Sequence, residues 1–318
     1  MKMRSVLSVL VFLLIAPYAS AIAPQEVDSN DFSSRMAPRV TRIGVSLVVN
    51  AALTEVMKTS IHQMRPNRAD NQSMPSRHVS WTATIASIVS RELYRESAWW
   101  VLGAHAMTDG MMLQRTLSKS HYPKDVLCGM AVGMVSSEVG YLIGGLVYPS
   151  TRRGLPYGAA EFMPAIEVTT TALLPLCGGA KGYSAGIGMS TAVQGTLPLS
   201  DEWGGRIGFE MRSLPLYRSD VYAGTLDGWG LSGGAVRYFE LPWQRWSAEA
   251  HAMAGFVKHF HGEGIPHPRL SFTMDIGGAM TWTVTSQLSI GVDAGYNYWA
   301  LRRGLSSISV GIFTRATI

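Results

Sequence analysis

From about residue 159 to the C-terminus, apolar side chains recur at every second position, which restricts this stretch to strands apolar on one face and polar on the other. Leu270, Phe272, Met274 and Ile276 alternate with Ser271, Thr273, Asp275 and Gly277. Leu288, Ile290, Val292, Ala294, Tyr296 and Tyr298 alternate with Ser289, Gly291, Asp293, Gly295 and Asn297. The same period runs through Tyr183–Met189, Ile207–Met211, Trp246–Phe256 and Ile308–Ile312, and more weakly through Phe162–Leu173 and Trp229–Phe239. That makes about eight strands, an even number, each about ten residues long. A soluble sandwich has the same alternation. Three features favour a membrane barrel: the strands are long and regular, the polar face is rich in Gly and Ser with few charges, and Trp282, Tyr296, Tyr298 and Trp299 gather at strand ends. Only a closed barrel lets strands cross lipid without orphaned backbone groups.

Before Pro149 the period is helical. Arg42–Met64, Arg77–Leu93, Ala98–Leu117 and Tyr122–Val147 read as helices, the last carrying Gly129-x-x-x-Gly133 and Gly140-x-x-x-Gly144, a spacing that lets helices approach closely. This last segment is apolar enough to span a membrane, but Glu138 interrupts it. A chain with several helical spans would be held in the inner membrane, so a C-terminal outer-membrane barrel implies a periplasmic bundle. The expected fold class is α + β, an all-α N-terminal bundle followed by an antiparallel barrel.

Lys2 and Arg4, the apolar run Val6–Ile15 and the small residues Ala19-Ser20-Ala21 form an export signal, with a second cut site after Ala23. The expected organisation is a signal over 1–23, a polar tether over 24–37, a helical domain over 38–150 and a barrel over 159–318. The net charge of +5 is too small, and basic runs interleaved with aromatics are lacking, so nucleic acid is not an expected partner. Cys128 and Cys177 are not a disulfide framework, and the reading taken is two unpaired buried thiols.

Three stretches of the helical half carry phosphate chemistry. In Lys58-Thr-Ser-Ile-His-Gln-Met-Arg65-Pro66 the two cations are close to two turns apart, and Pro66 places Arg65 at a helix end. Two such cations suit a dianionic phosphate, although each alone reads as a solvated helix-end charge. In Met74-Pro75-Ser76-Arg77-His78, Ser76 is placed to cap the next helix, whose N–H groups would face a bound anion, with His78 in its first turn. In Gln114-Arg115-x5-His121-Tyr-Pro123-x-Asp125, Pro123 suits a first helical turn, and Asp125 is spaced to accept the Nδ1 proton of His121. His105 and Asp109 share that spacing without the arginine or the proline, and they read as helix interior.

In this order the three stretches resemble the signature of the type 2 phosphatidic acid phosphatase superfamily, Lys-x6-Arg-Pro, then Pro-Ser-Gly-His, then Ser-Arg-x5-His-x3-Asp. That superfamily includes bacterial class A acid phosphatases and vanadium haloperoxidases. The likeness covers about residues 38–148 and departs at Arg77, where the family usually has Gly, and at Gln114, where it has Ser. The resemblance implies a metal-independent phosphatase without a cofactor. His121 would be the nucleophile, oriented by Asp125, and His78 the acid. Lys58, Arg65, Ser76 and Arg115 would bind phosphate. The implied substrate is a lipid phosphate or pyrophosphate, hydrolysed by an exported protein held in the outer membrane through its barrel. Alternatives are a structural or transport barrel with an inactive helical domain, and a periplasmic acid phosphatase for small soluble esters.

Overall fold

The computed structural model describes residues 32–148, 162–178, 182–243, 245–261, 269–301 and 304–318. The expected export signal and most of the expected tether lie outside these residues. The chain divides into two compact units, Met1–Met112 with Asp125–Pro156, and Leu113–Lys124 with Tyr157–Ile318.

Among the described residues the first unit is built on four helices, α1 (Phe32–Ser60), α2 (Arg77–Leu93), α3 (Ala98–Leu117) and α4 (Pro123–Val147). Helix α1 stops at Ser60, four residues before the end expected from hydrophobic period. Thr59 and Ser60 turn their hydroxyls back onto carbonyls of their own last turn, Thr59 Oγ1 to Glu55 O at 3.0 Å and Ser60 Oγ to Val56 O at 2.7 Å. Such side chains compete with helix continuation. Val79, Ala83, Val101, Met112, Val126 and Met130 form part of the core.

The small-residue spacing in α4 serves this packing. A Cβ on Gly129 would lie 2.6 Å from the carbonyl oxygen of Ser76, and one on Gly133 would strike Ser80. Gly140 and Gly144 leave room for Ser46 and Arg42 of α1. Glu138 is compatible with a buried helix because it pairs with Arg91, whose guanidinium also stacks 4.6 Å over Tyr141. Cys128 is buried and burial pushes its thiol up to about 12, whereas Cys177 is exposed, so only one of the two thiols is buried as expected; both are free.

In the second unit eight long strands close into an up-and-down barrel: β1 (Ala165–Gly178), β2 (Gly188–Pro198), β3 (Trp203–Arg218), β4 (Val221–Glu240), β5 (Trp246–His261), β6 (Leu270–Thr283), β7 (Leu288–Trp299) and β8 (Leu305–Thr317). Each pairs antiparallel with the next, and β8 returns to β1 through pairs such as Thr169 with Phe313. The segment around Tyr183 is only a two-residue strand, Ser184–Ala185, and the long strand starts at Gly188. The loop glycines there carry no side chain that would hold the chain in a ladder earlier.

Alternation sorts the barrel as anticipated, with Ile207, Leu231, Phe256 and Ile276 exposed on the outside and polar groups inside. The lumen is more charged than its Gly/Ser composition suggests. Arg206 and Arg315 bridge Glu167 and Glu249, with Arg206 Nη2 2.6 Å from Glu249 Oε2 and Arg315 Nη2 2.6 Å from Glu167 Oε2. Charges this scarce escaped notice in the sequence because they stand on four different strands and meet only on closure. Trp299 is not in an outer aromatic girdle. It is 1% exposed, in an apolar cluster with Leu173, Leu214, Leu216, Leu226 and Leu305. Trp246 and Trp282 do stack on neighbouring strands, their centroids 6.2 Å apart.

Candidate active site

Because α1 ends at Ser60, Lys58 lies in its last turn and Arg65 lies in the loop beyond, so the two are not on one helix face as the spacing suggested. Lys58 is buried, with Nζ donating to the carbonyl of Gln72 at 2.7 Å. Burial holds its amine below the ordinary lysine value, as do the charges of Arg65 and Arg77, while Asp70 and Asp125 pull the other way. That loop is ordered by its own bonds. Ser73 N donates to Gln63 O at 2.9 Å, Arg65 N to Asp70 O at 3.0 Å, and Arg65 Nε to Asp70 Oδ1 at 2.7 Å. The bond from Arg65, joined by one from the Gln72 backbone, holds the Asp70 carboxyl below its usual value.

Ser76 precedes α2 in extended backbone, at φ −73° and ψ 112°. It stands at the capping position, but its hydroxyl makes no capping bond and has no hydrogen-bond partner among the described residues, although the residue is fully buried. Its backbone is committed instead, with the carbonyl accepting from Ser80 N at 3.0 Å and the N–H donating to Asp125 O at 3.0 Å. A buried hydroxyl left over at a helix N-terminus, where first-turn N–H groups lie ahead of the helix's own ladder, is suited to an anion. Arg77 is turned to Glu55 of α1 at 2.6 Å, and both side chains are more than half exposed. His78 is exposed in the first turn of α2.

Asp125 is fully buried in the first turn of α4. Its Oδ1 accepts from Gln63 Nε2 at 3.2 Å and its Oδ2 from Ser73 Oγ at 2.5 Å. Through these bonds and the one to Ser76 N, a single residue ties α4 to the loop and to α2. Gln63, Asp70 and Ser73 were missed by motif reading. The first lies between Lys58 and Arg65 and the others just before Met74-Pro75-Ser76, so position between motif residues was the only signal.

Arg115 and His121 lie in Leu113–Lys124, which groups with the second unit. The chain doubles back here: Lys119 takes φ 55°, and the N–H groups of Ser120 and His121 both donate to the Arg115 carbonyl, at 3.1 and 3.2 Å. His121 is 2% exposed and Arg115 is half-buried. The decoy pair is interior to α3 as expected, with His105 Nε2 3.1 Å from Ser90 Oγ.

The protein thus joins, in one chain, a helical unit in which Lys58, Arg65, Ser76 and Asp125 lie on or beside one loop, and an eight-stranded up-and-down barrel. Residues 39–146 match the model of the PAP2 superfamily. A curated relative, the lipid A 1-phosphatase of Porphyromonas gingivalis, is 27% identical over 106 residues. The alignment spans 33% of this chain and 23% of that protein, under a quarter of the relative's length. Among solved structures, the barrel is similar to Ail of Yersinia pestis, with a TM-score of 0.32 and 16% identity over 49% of this chain and 99% of that one. It is also similar to Neisserial surface protein A, with a TM-score of 0.34 and 14% identity over 51% of this chain and 99% of that one.

Proposed function

We propose that the protein is a metal-independent phosphatase that removes phosphate from a lipid phosphomonoester or pyrophosphate, exported by residues 1–23 and held in the outer membrane by the barrel. On this reading the helical domain, about 38–150, works in the periplasm, and 159–318 is the anchor. The observation that carries the reading is the set of Lys58, Arg65, Ser76 and Asp125, drawn from three separated motifs and gathered around the loop and the N-termini of α2 and α4.

His121 attacks phosphorus through Nε2, the bond from phosphorus to the leaving oxygen breaks, and His78 gives that oxygen a proton. Water then attacks the phosphohistidine, and phosphate leaves. Asp125 holds His121 in the tautomer that frees Nε2. Lys58, Arg65, Arg115 and Ser76 bear the charge that builds on the non-bridging oxygens, work a metal does elsewhere. The lipid part of the reading is supported by the relative's name and by the apolar outer surface of the barrel, which only a bilayer covers along its whole circumference.

The test is phosphate release by purified, reconstituted full-length protein from a lipid phosphomonoester, a lipid pyrophosphate and a soluble ester. Release from either lipid is expected. Turnover of the soluble ester alone would return the account to an acid phosphatase, and turnover of none would overturn it.

A further inference from the structure

Helix α1 is inside out, and α3 leaves an apolar stripe outside as well as inside. On α1 the buried positions at every fourth residue are Arg42, Ser46, Asn50, Thr54 and Lys58, all polar. The exposed positions at the same interval are Val40, Gly44, Val48, Ala52 and Val56. Thr54 Oγ1 meets Ser80 Oγ at 3.0 Å, and Ser46 Oγ donates to Arg42 O at 2.8 Å, so the polar stripe is used by the bundle rather than by water. On α3, whose Val101, Leu102 and Met112 are buried in the core, a further stripe of Trp99, Trp100, Gly103, Met107 and Gly110 stays exposed, with Met107 74% exposed. A helix packed on the core of a water-soluble protein shows the reverse of the α1 arrangement. Among the described residues two helices are long and apolar enough to cross a membrane, but α4 has 67% of its most apolar window buried, whereas α1 has 22%. The apolarity of α4 is therefore core, and that of α1 faces outward and is not covered by this chain in the described residues.

We propose that the outward faces of α1 and α3 sit in the headgroup and outer acyl region of a bilayer, so that the helical unit is partly immersed rather than free in water. Three features single out lipid as the occupant. The stripes carry no charge from Gly44 to Ala52 or from Trp99 to Gly110. The start of α3 exposes Trp99 and Trp100 just after the exposed Arg95, residue types that settle at headgroup depth. Between residues 32 and 148 there are twelve Lys and Arg against seven Asp and Glu, a balance that favours anionic headgroups. Lipid contact would bring the site to its substrate, and only that last consequence rests on the phosphatase reading.

The test uses full-length protein with Cys128→Ser and Cys177→Ser, reconstituted in vesicles containing anionic lipid, with a nitroxide on Val48→Cys, Met107→Cys or, as a water-facing control, Asn71→Cys. At 48 and 107 the label should be relaxed more by oxygen than by a water-soluble nickel chelate, and at 71 the order should reverse. Stronger nickel relaxation at 48 and 107 would show that the faces are wet. Access to neither reagent, with a label-to-label distance between molecules, would show that a second copy covers them. Either result overturns the proposal. Met107→Glu should weaken turnover of a vesicle-borne lipid phosphate by about fivefold, the factor equivalent to about 1 kcal/mol per charge at an anionic surface. Its turnover of a soluble ester should be unchanged, and equal losses on both would also count against lipid contact. If no substrate is hydrolysed at all, the phosphatase reading fails while the accessibility data still decide this one.

Discussion

Substituting alanine for two helical glycines should have opposite effects. Gly103 on α3 and Gly129 on α4 are both interior to helices, and alanine is the better helix former by about 1 kcal/mol at either. At Gly103 a Cβ meets nothing within 4 Å, so that gain stands alone. At Gly129 the Cβ would lie 2.6 Å from Ser76 O, and the helices must part by about 0.4 Å merely to reach the 3.0 Å below which real Cβ contacts are essentially never seen. Overpacking of this kind costs about 1–3 kcal/mol, enough to cancel or exceed the propensity gain. The displaced atoms also belong to the site, because Ser76 N is bonded to Asp125 O. Misplacement of about 1 Å can cost on the order of 100-fold in rate, so a loss of at least about tenfold is expected for Gly129→Ala. Thermal unfolding followed by helical circular dichroism, together with phosphate release, reads both effects. The reasoning is refuted if Gly129→Ala unfolds no earlier than Gly103→Ala and turns over substrate at the wild-type rate.

Glu249→Gln should destabilise the barrel by about 3–5 kcal/mol, because it strips a buried carboxylate from Arg206 and Arg315. Glu202→Gln, at the exposed pair with Arg237, should cost no more than about 1 kcal/mol, and urea midpoints in detergent would compare the two. The lowered Asp70 carboxyl contributes stability above its unfolded value of 3.8, and this is lost as pH falls through the folded value. Asp70→Asn should therefore flatten the acid dependence of amide exchange in the loop from Ile61 to Ser76, and an unchanged profile would count against the Arg65 bond. Excess EDTA should leave the rate unaltered and vanadate should inhibit, whereas inactivation reversed by added metal would contradict charge supplied by Lys58, Arg65 and Arg115 alone.

The elements were legible wherever one period dominated. Helices α2 and α3 fall at the expected residues because the helical apolar period runs through both and Ser76 marks the start of α2, and the barrel follows from alternation that only two faces of unlike polarity produce. Side-chain commitments were less legible. Sequence placed Ser76 as a cap, but a cap and a leftover hydroxyl look alike until the backbone is seen to be satisfied by Asp125 and Ser80. The lumen network was hidden for another reason: Glu167 and Arg315 are 148 residues apart and meet only when β8 closes on β1. Helix α1 shows a third limit, since the period reveals two faces but not which of them is turned inward.

The most direct test of the central claim is a rapid-quench search for covalent phosphate on reconstituted protein turning over a labelled lipid phosphomonoester. Wild type should release phosphate and yield an acid-labile phosphohistidine. His121→Ala should do neither, because the atom that bonds to phosphorus is gone. His78→Ala should still form the phosphoenzyme, with a defect of about 10²–10⁴-fold that shrinks for a good leaving group. A phosphoenzyme trapped from His121→Ala, or release by that variant at the wild-type rate, would contradict the account.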